Sequence, residues 1–476
     1  MRKKQNQYLE VEITELSKKG NGIGSVTNES GAILNIEVPF AIPKDKVKVL
    51  IKRKKNGYCQ GKLEEIIQPS PLRILPKCVH FGTCGGCRYQ NLAYEDQIEH
   101  KEKQVAGYFK NLINEDVTIL PMVKSPLQWQ YRNKMEYTFS SDAANNRYLG
   151  LIMDQGRGKV INLTECHLTN SWFIDALKAV RSWWENSDLD AYHMMRNTGS
   201  LRTLTLREGT MTNDRLVMLT VSGNPDFALH RSHLDSFVMA LKNAVEPSNF
   251  EGATLSIFLR IHQIAKGMPT QFYEMHLYGR DHIVEKLNIK LGDEEIGTPI
   301  SFSLSPTAFF QPNSQQASNL YSKAIELANF SKEDVLYDLY CGTGTIGISI
   351  AKYVKTVVGI EISPESSLDA RQNAKKNGLN NYTVYTGDVS SVLENTILPL
   401  PDVLMIDPPR AGLEIAAIKQ IVALNAKKIV YISCNPETQA HDVLELQSAG
   451  YKLIAIQPVD QFPQTPHIEN IALLTR

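Results

Sequence analysis

From about residue 312 the sequence alternates short apolar runs with helical stretches, and this alternation constrains the fold more than any other feature. A helix over 312–329 precedes VLYDLYCGTGTIG. There follow VVGIEIS, a helix to 377, YTVYTGD, DVLMIDPP, a helix to 424, KKIVYISC, a helix to 449, YKLIAIQPV and HIENIALLT. Short apolar strands separated by helices of about 10–15 residues require a parallel sheet with helices on both faces. The last two runs are joined by too short a link for a crossover, so the final strand is predicted to run antiparallel.

The rest of the chain has a different texture. Residues 8–67 alternate with period two and are punctuated by glycine, which predicts a small β-barrel. A stiff link with Pro69, Pro71 and Pro76 follows. Residues 89–113 look helical, and strands dominate from 133 to about 290, with helices near 170–187 and 230–246. The fold class predicted is multidomain: an N-terminal barrel over 1–68, a central α+β domain over 69–300, and a C-terminal Rossmann-like α/β domain over 301–476. Net charge is zero overall, but residues 1–68 hold 13 Lys+Arg against 8 Asp+Glu, a net of +5. A basic module on a mildly acidic body is what a nucleic-acid grip looks like, and equally what a solvated lysine-rich surface looks like. No apolar run approaches the ~18 residues needed to span a bilayer, and the first residues have no apolar core of a secretory signal. The chain is expected to be cytoplasmic, with no membrane partner.

The glycine turn Gly342-Thr-Gly344-Thr-Ile-Gly347 follows a strand and opens a helix, and Glu361 ends the next strand. Glycine lets the backbone approach a nucleotide-like ligand, and a carboxylate at the second strand tip can accept both ribose hydroxyls. This spacing also satisfies the dinucleotide fingerprint. Asp388 after the third strand, Asp407-Pro-Pro after the fourth, and the antiparallel closing pair make the layout resemble class I methyltransferases. Cys434, in Ile432-Ser433-Cys434-Asn435-Pro436, stands at the tip of the fifth strand, where an open α/β sheet presents its site. It is placed as a nucleophile, although an isolated cysteine is as often a small buried apolar residue.

The segment Phe462-Pro463-Gln464-Thr465-Pro466-His467-Ile468-Glu469-Asn470 decides between these readings. With the SCNP loop, the YRNK at 131–134, the FFQPN at 309–313 and the ITELSKKGNGIG opening, it resembles the uracil-5 RNA methyltransferases, members that carry a TRAM barrel. The resemblance covers nearly the whole chain. It implies Cys434 as the thiolate that adds to carbon 6 of uracil and Glu469 as the base that removes the carbon 5 proton, with His467 orienting that loop. It implies S-adenosylmethionine as cofactor, contacted by Gln311, Tyr340, Glu361 and Asp407, with Gly342 and Asp388 at the same strand tips. Asp407 could equally serve the substrate base, as in amino-methylating enzymes, which would leave Cys434 idle.

Seven cysteines in a chain without a signal argue against a disulfide framework. Cys78, Cys84 and Cys87 cluster, and Cys166 follows 79 residues after Cys87. Structural zinc sites usually show two close pairs, which this pattern lacks. Three close thiolates and a distant one suit an iron–sulfur cluster. Relatives matching at these four positions carry a 4Fe-4S cluster, so the resemblance implies one here, in folding or RNA docking rather than electron transfer. Cys59 and Cys341 read as structural, and His80 and His167 as packing or hydrogen-bonding residues. The expected partner is structured RNA, with 23S rRNA ahead of transfer RNA as target, bound by a monomer. The substrate base must be flipped out to meet a thiolate, and Phe302, Phe309, Phe310 and Phe462 are candidates to stack on bases or to fill the core. A different class of reading, an RNA-binding protein with a decayed cofactor domain, sits badly with intact Gly342, Gly344, Glu361, Cys434 and Glu469.

Overall fold

The computed structural model describes residues 7–27, 31–55, 58–154, 156, 158–247, 251–264, 269–291 and 297–476. Alternating burial along the first strands closes a five-stranded barrel. Its strands are β1 (Tyr8–Leu16), β2 (Gly22–Thr27), β3 (Ile33–Val38), β4 (Lys46–Lys55) and β5 (Tyr58–Gln68), in the order β1-β2-β3-β5-β4. β4 pairs back on β1 from Tyr8↔Leu50 to Glu12↔Lys46, so the barrel has no free edge. Val11, Ile13, Ile36, Val38, Val47 and Val49 fill it. Gly24 is required where β2 crosses β1: a Cβ there would stand 2.2 Å from the carbonyl oxygen of Glu12.

Helix α1 (Tyr94–Phe109) and the two-residue strand β6 (Thr118–Ile119) come next. The central sheet contains β7 (Lys134–Ser141), β8 (Arg147–Ile152), β9 (Val160–Asn162), β10 (Leu201–Glu208), β11 (Arg215–Ser222), β12 (Leu255–Gln263) and β13 (Gln271–Tyr278). Its order is β13-β12-β11-β10-β7-β8-β9. Helices α2 (Trp172–Glu185) and α3 (Arg231–Val245) cover one face through Trp184, Phe173, Phe237 and Leu241.

The C-terminal part opens with the hairpin β14 (Ile283–Ile289) and β15 (Thr298–Leu304) and helix α4 (Ser314–Ala328). Strands β16 (Val335–Leu339), β17 (Thr356–Glu361), β18 (Tyr382–Thr386), β19 (Val403–Ile406), β20 (Lys428–Ser433), β21 (Lys452–Val459) and β22 (Glu469–Thr475) alternate with helices. These are α5 (Thr345–Ile350), α6 (Pro364–Lys376), α7 (Val389–Asn395), α8 (Ile415–Ala423) and α9 (Pro436–Ser448). The sheet order is β18-β17-β16-β19-β20-β22-β21-β6, and β22 runs antiparallel to both β20 and β21, as the short link predicted. Strands buried on both faces read as continuous apolar runs: Val403–Ile406 and Ile429–Ile432 are fully or almost fully buried. At ~1.5–3 kcal/mol per buried aliphatic side chain, these runs fix the sheet more strongly than any loop does.

The expected domains are 69–300 and 301–476. The 300/301 boundary falls inside β15, which is tied to α6: Ser303 N–H donates to Asn373 Oδ1 (2.7 Å) and Ser301 N–H to Asn377 Oδ1 (3.1 Å). β6 adds to the C-terminal sheet beside β21, and Ile98, Val105 and Phe109 of α1 join the core on the face that α8 and α9 cover. The stretch around α1 therefore belongs physically to the C-terminal layers. A buried ion pair anchors it, Lys101 Nζ to Asp460 Oδ1 at 2.6 Å, with Tyr94 OH donating to Asp460 Oδ2 (2.8 Å). Among the described residues no helix is long and apolar enough to cross a membrane.

Candidate active site

Cys434 sits in a turn that its neighbours build. Asn435 N–H donates to Ser433 Oγ (3.1 Å), and Asn435 Nδ2 donates to the Arg410 carbonyl (3.0 Å). Pro436 starts α9, where its missing N–H costs nothing. The thiol is thereby held, half-buried, in the gap between the end of β20 and α9.

Asp407 follows the tip of β19 and Glu469 opens β22, so both carboxyls meet Cys434 at one end of the sheet. Burial pushes Asp407 up to about 7, although part of its surface still reaches solvent. Glu469 is 2% exposed, its Oε2 has no hydrogen-bond partner, and burial together with the Asp407 charge raises its pKa well above the carboxylate range. Burial, then the charges of Glu469 and Asp407, push the Cys434 thiol up to about 12, while Arg410 opposes all but the burial. Three groups that become negative thus crowd one end of the sheet, each disfavouring ionisation of the others, with Arg410 opposing that effect on Cys434 and Glu469. His467 lines the same place, partly open to the cleft, with Arg410 Nη2 3.3 Å from its Nδ1; desolvation of its covered face and the charges of Arg410, Lys101 and Arg132 hold its pKa below the ordinary imidazole value. A thiol so far above neutral should be alkylated slowly. Reaction of Cys434 with iodoacetamide in the substrate-free protein, read by peptide mapping, is expected to rise about tenfold per pH unit from pH 7 to 10 without levelling. A plateau near pH 8.5 would show an unperturbed thiol.

The glycine turn lies at the tip of β16. Tyr340, Gly342 and Gly344 have φ of 65°, 55° and 80°, which only the glycines adopt without strain. A Cβ on Gly342 would meet nothing within 4 Å, whereas one on Gly344 would crowd Ile348 and Tyr382, so the turn is open above and tight below. Glu361 is oriented by the turn: Gly342 N–H donates to Oε2 (2.9 Å) and Ser363 N–H to Oε1 (2.8 Å). Asp388 caps α7, accepting from Ser391 N–H (3.2 Å). Gln311 is buried beside the hydroxyl of Tyr321. Asp338 lies beneath, accepting from Gly347 N–H (2.8 Å) while its Oδ1 is buried without a partner; burial pushes it up to about 8. An open glycine turn ringed by carboxyls at three strand tips fits a cationic nucleoside.

The predicted motifs lock to one another. Asn133 Nδ2 of the YRNK run donates to the Gln311 carbonyl (3.0 Å) and to Ser314 Oγ (2.7 Å). Tyr131 OH donates to the Pro463 carbonyl (2.9 Å). Asn313 and Gln461 exchange side-chain-to-carbonyl bonds of 3.0 and 3.1 Å. Of the four candidate stacking aromatics, Phe302 and Phe310 are core residues, buried to 0% and 3% because β15 and α4 close over them. Phe309 is 65% exposed, and Phe462 is half-buried with its ring edge-on to His467.

Cys78, Cys84, Cys87 and Cys166 are drawn together from two segments. Val79 N–H donates to Glu165 Oε1 (2.7 Å), and His80 Nε2 accepts from Thr164 N–H (3.0 Å), which makes His80 a strut rather than a ligand. Among the described residues no group of three or more His, Cys, Asp or Glu side chains is arranged to hold a metal ion. Burial first, then the neighbouring Cys166, Cys84 and Cys78, push the Cys87 thiol up to about 12; burial, then Glu165, Cys166 and Cys84, push Cys78 up to about 11. Four free, half-buried thiols are the donor chemistry that all-thiolate clusters use.

A cleft of about 530 Å³ runs past Cys434. Lys18 and Lys19 of the barrel, Gly86 and Arg88 of the cysteine loop, Tyr108 of α1 and Arg410 are among its walls. Lys18 Nζ reaches Glu437 Oε2 at 2.8 Å across it. None of these wall residues was singled out from the sequence. Arg410, directly after Asp-Pro-Pro, had a local signal, and Lys18 and Lys19 fall in the ITELSKKGNGIG opening of the basic module; Gly86, Arg88 and Tyr108 come from remote segments and had none.

Comparison with known proteins gives consistent matches. Residues 255–388 and 400–476 match the family model described as tRNA (Uracil-5-)-methyltransferase, and residues 2–63 match the TRAM domain. A relative in Protochlamydia amoebophila, described as an uncharacterized RNA methyltransferase, is 56% identical over 92% of this chain and 100% of its own. One in Clostridium tetani, described likewise, is 34% identical over 100% of this chain and 99% of its own. The crystal structure of Pyrococcus abyssi tRNA (uracil-54, C5)-methyltransferase in complex with S-adenosyl-L-homocysteine is similar with a TM-score of 0.71 and 25% identity, covering 98% of this chain and 100% of that one.

Proposed function

We propose, from the premise that the chain belongs to the uracil-5 RNA methyltransferase family, that it methylates carbon 5 of a uridine in structured RNA through a covalent bond to Cys434. The observation that carries this reading is the meeting of Cys434, Asp407 and Glu469 at one end of the sheet, beside a cleft whose far wall is the basic barrel.

Carbon 5 of uracil is a weak nucleophile. The Cys434 thiol gives up its proton to Asp407 or to water, and its sulfur bonds to carbon 6. The carbon 5–carbon 6 electron pair becomes an enolate whose charge is shared onto carbon 5. Bound S-adenosylmethionine supplies a methyl group on a positively charged sulfur, and that charge favours the ionised forms of Cys434, Asp407 and Glu469. Once carbon 5 carries the methyl group, the Glu469 carboxylate takes the remaining proton, the double bond re-forms and the Cys434 thiolate leaves. Burial suits Glu469 to this step, because a carboxylate with a raised pKa is a stronger base. Arg410 stands where it opposes the charge on Cys434 and Glu469. Gly342, Tyr340, Glu361, Asp388 and Gln311 would hold the cofactor, and Asp407 borders both cofactor and base.

Cys78, Cys84, Cys87 and Cys166 would hold a 4Fe-4S cluster, supplying all-thiolate ligation. Anaerobically purified protein is expected to be brown and to lose its absorbance near 400 nm when Cys84 or Cys87 is changed to Ser. Zinc without iron in elemental analysis would refute the assignment.

The RNA read from the sequence is large-subunit ribosomal RNA. Transfer RNA is the second reading, favoured by the similarity to the Pyrococcus abyssi tRNA (uracil-54, C5)-methyltransferase. Nucleoside mapping of a strain lacking the gene separates them. 5-Methyluridine is expected to vanish from one site of 23S rRNA; loss from transfer RNA alone would reassign the target, and no loss from either would remove the function.

A further inference from the structure

The segment that delivers Glu469 is held mainly from outside its own sheet. Between β21 and β22 the chain turns at Gln464, a non-glycine residue with φ of 68°. Its carbonyl accepts from Arg88 N–H (2.9 Å) and from Tyr89 N–H (3.2 Å), the two peptide groups directly after Cys87. The Pro463 carbonyl accepts from Tyr131 OH (2.9 Å), and the Phe462 carbonyl from Lys101 Nζ (3.2 Å). The strap is closed by Gln97, 1% exposed. Its Oε1 accepts from Gln464 N–H (3.0 Å), and its Nε2 donates to Gln464 Oε1 (3.1 Å) and to the carbonyls of Tyr89 (3.1 Å) and Leu92 (2.9 Å). One amide thus joins the end of the cysteine loop to the turn that precedes Glu469. The carboxyl itself has an oxygen without a partner, so its aim depends on the backbone that carries it.

We propose that the cysteine loop is a positioning element for Glu469, acting through Arg88, Tyr89 and Gln97 on the turn at Gln464. This rests on the reading of Glu469 as the proton-removing base and gives the four-cysteine site a part in one step of the reaction. Cys434 and the cofactor turn are mounted on β20 and β16 and do not hang on this strap. Loosening the strap therefore slows removal of the carbon 5 proton more than methyl transfer. Gln97 is a positioning residue, remote from the reacting atoms.

The test uses full-length Gln97→Ala. In single turnover with tritium-methyl cofactor, methyl incorporation stays within about threefold of the unsubstituted protein, while release of free methylated RNA slows about tenfold, the scale of a lost buried hydrogen bond or two. A methylated protein–RNA adduct accumulates transiently. Equal slowing of both steps, or of neither, overturns the proposal. Hydrogen exchange supplies a readout that does not need catalysis. In Gln97→Ala, and in Cys87→Ser, the amides of 462–468 exchange about tenfold faster while those of β16 are unchanged. Unchanged exchange over 462–468 in both variants overturns the coupling. If the coupling is present but Glu469→Gln forms no adduct, it is the reading of Glu469 that has failed.

Discussion

Replacement of Cys434 by Ala is expected to abolish methyl transfer while leaving S-adenosylmethionine affinity within about threefold. The two sites share the end of one sheet and meet at Asp407, but the cofactor turn is carried by β16 and β17 and the thiol by the turn after β20. Alanine also relieves a crowded site, since it removes one of three groups competing to be anionic there. The loss is therefore chemical rather than structural. Without a sulfur at carbon 6 no enolate forms, and removal of a covalent nucleophile costs on the order of 10⁴-fold or more. A tritium-methyl assay beside calorimetric titration of the cofactor checks both halves. Substantial remaining activity would leave Cys434 idle and move the chemistry to amino methylation at Asp407-Pro-Pro.

Glu469→Gln should fail one step later. Addition of Cys434 and methylation both precede removal of the carbon 5 proton, so the variant completes them and then cannot eliminate. It should accumulate a methylated protein–RNA adduct that survives denaturing electrophoresis. Glutamine is nearly isosteric, so the packing around the buried side chain is preserved and only the proton acceptor is lost. His467 is the rival base, because its ring stands against Arg410 with a lowered pKa and is neutral at pH 7. His467→Ala is expected to slow turnover without trapping. Trapping by His467→Ala, with normal turnover of Glu469→Gln, would exchange the two roles.

The C-terminal sheet was legible because doubly buried parallel strands must be continuous apolar runs, and the turns that carry Cys434 and Glu469 follow from local chemistry: Ser433 and Asn435 close one, Gln464 and Thr465 the other. The addition of β6 to this sheet was not legible. It is two residues long, exposed, and pairs through register with β21, which no local pattern encodes. The tie of β15 to α6 was not legible for a related reason, since it runs through Asn373 and Asn377, some seventy residues away in sequence. Phe302 and Phe310, stacking candidates for which a core place is the commoner fate, lie in the core. Gln97, Lys101 and Arg88 had no signal, because their meaning lies in the carbonyls of 462–464 that they hold. The spacing of Cys78, Cys84, Cys87 and Cys166 singled out these cysteines, but not the hydrogen bonds that join the residues after Cys87 to the turn before Glu469.

The most direct test of the covalent route is the mass of the Cys434 peptide recovered from Glu469→Gln after incubation with RNA and cofactor, followed by nuclease and protease digestion. The account predicts a peptide carrying one methylated uridylate on the Cys434 sulfur. An unmodified Cys434 peptide, with the methyl group recovered on an exocyclic nitrogen of the RNA, would contradict it.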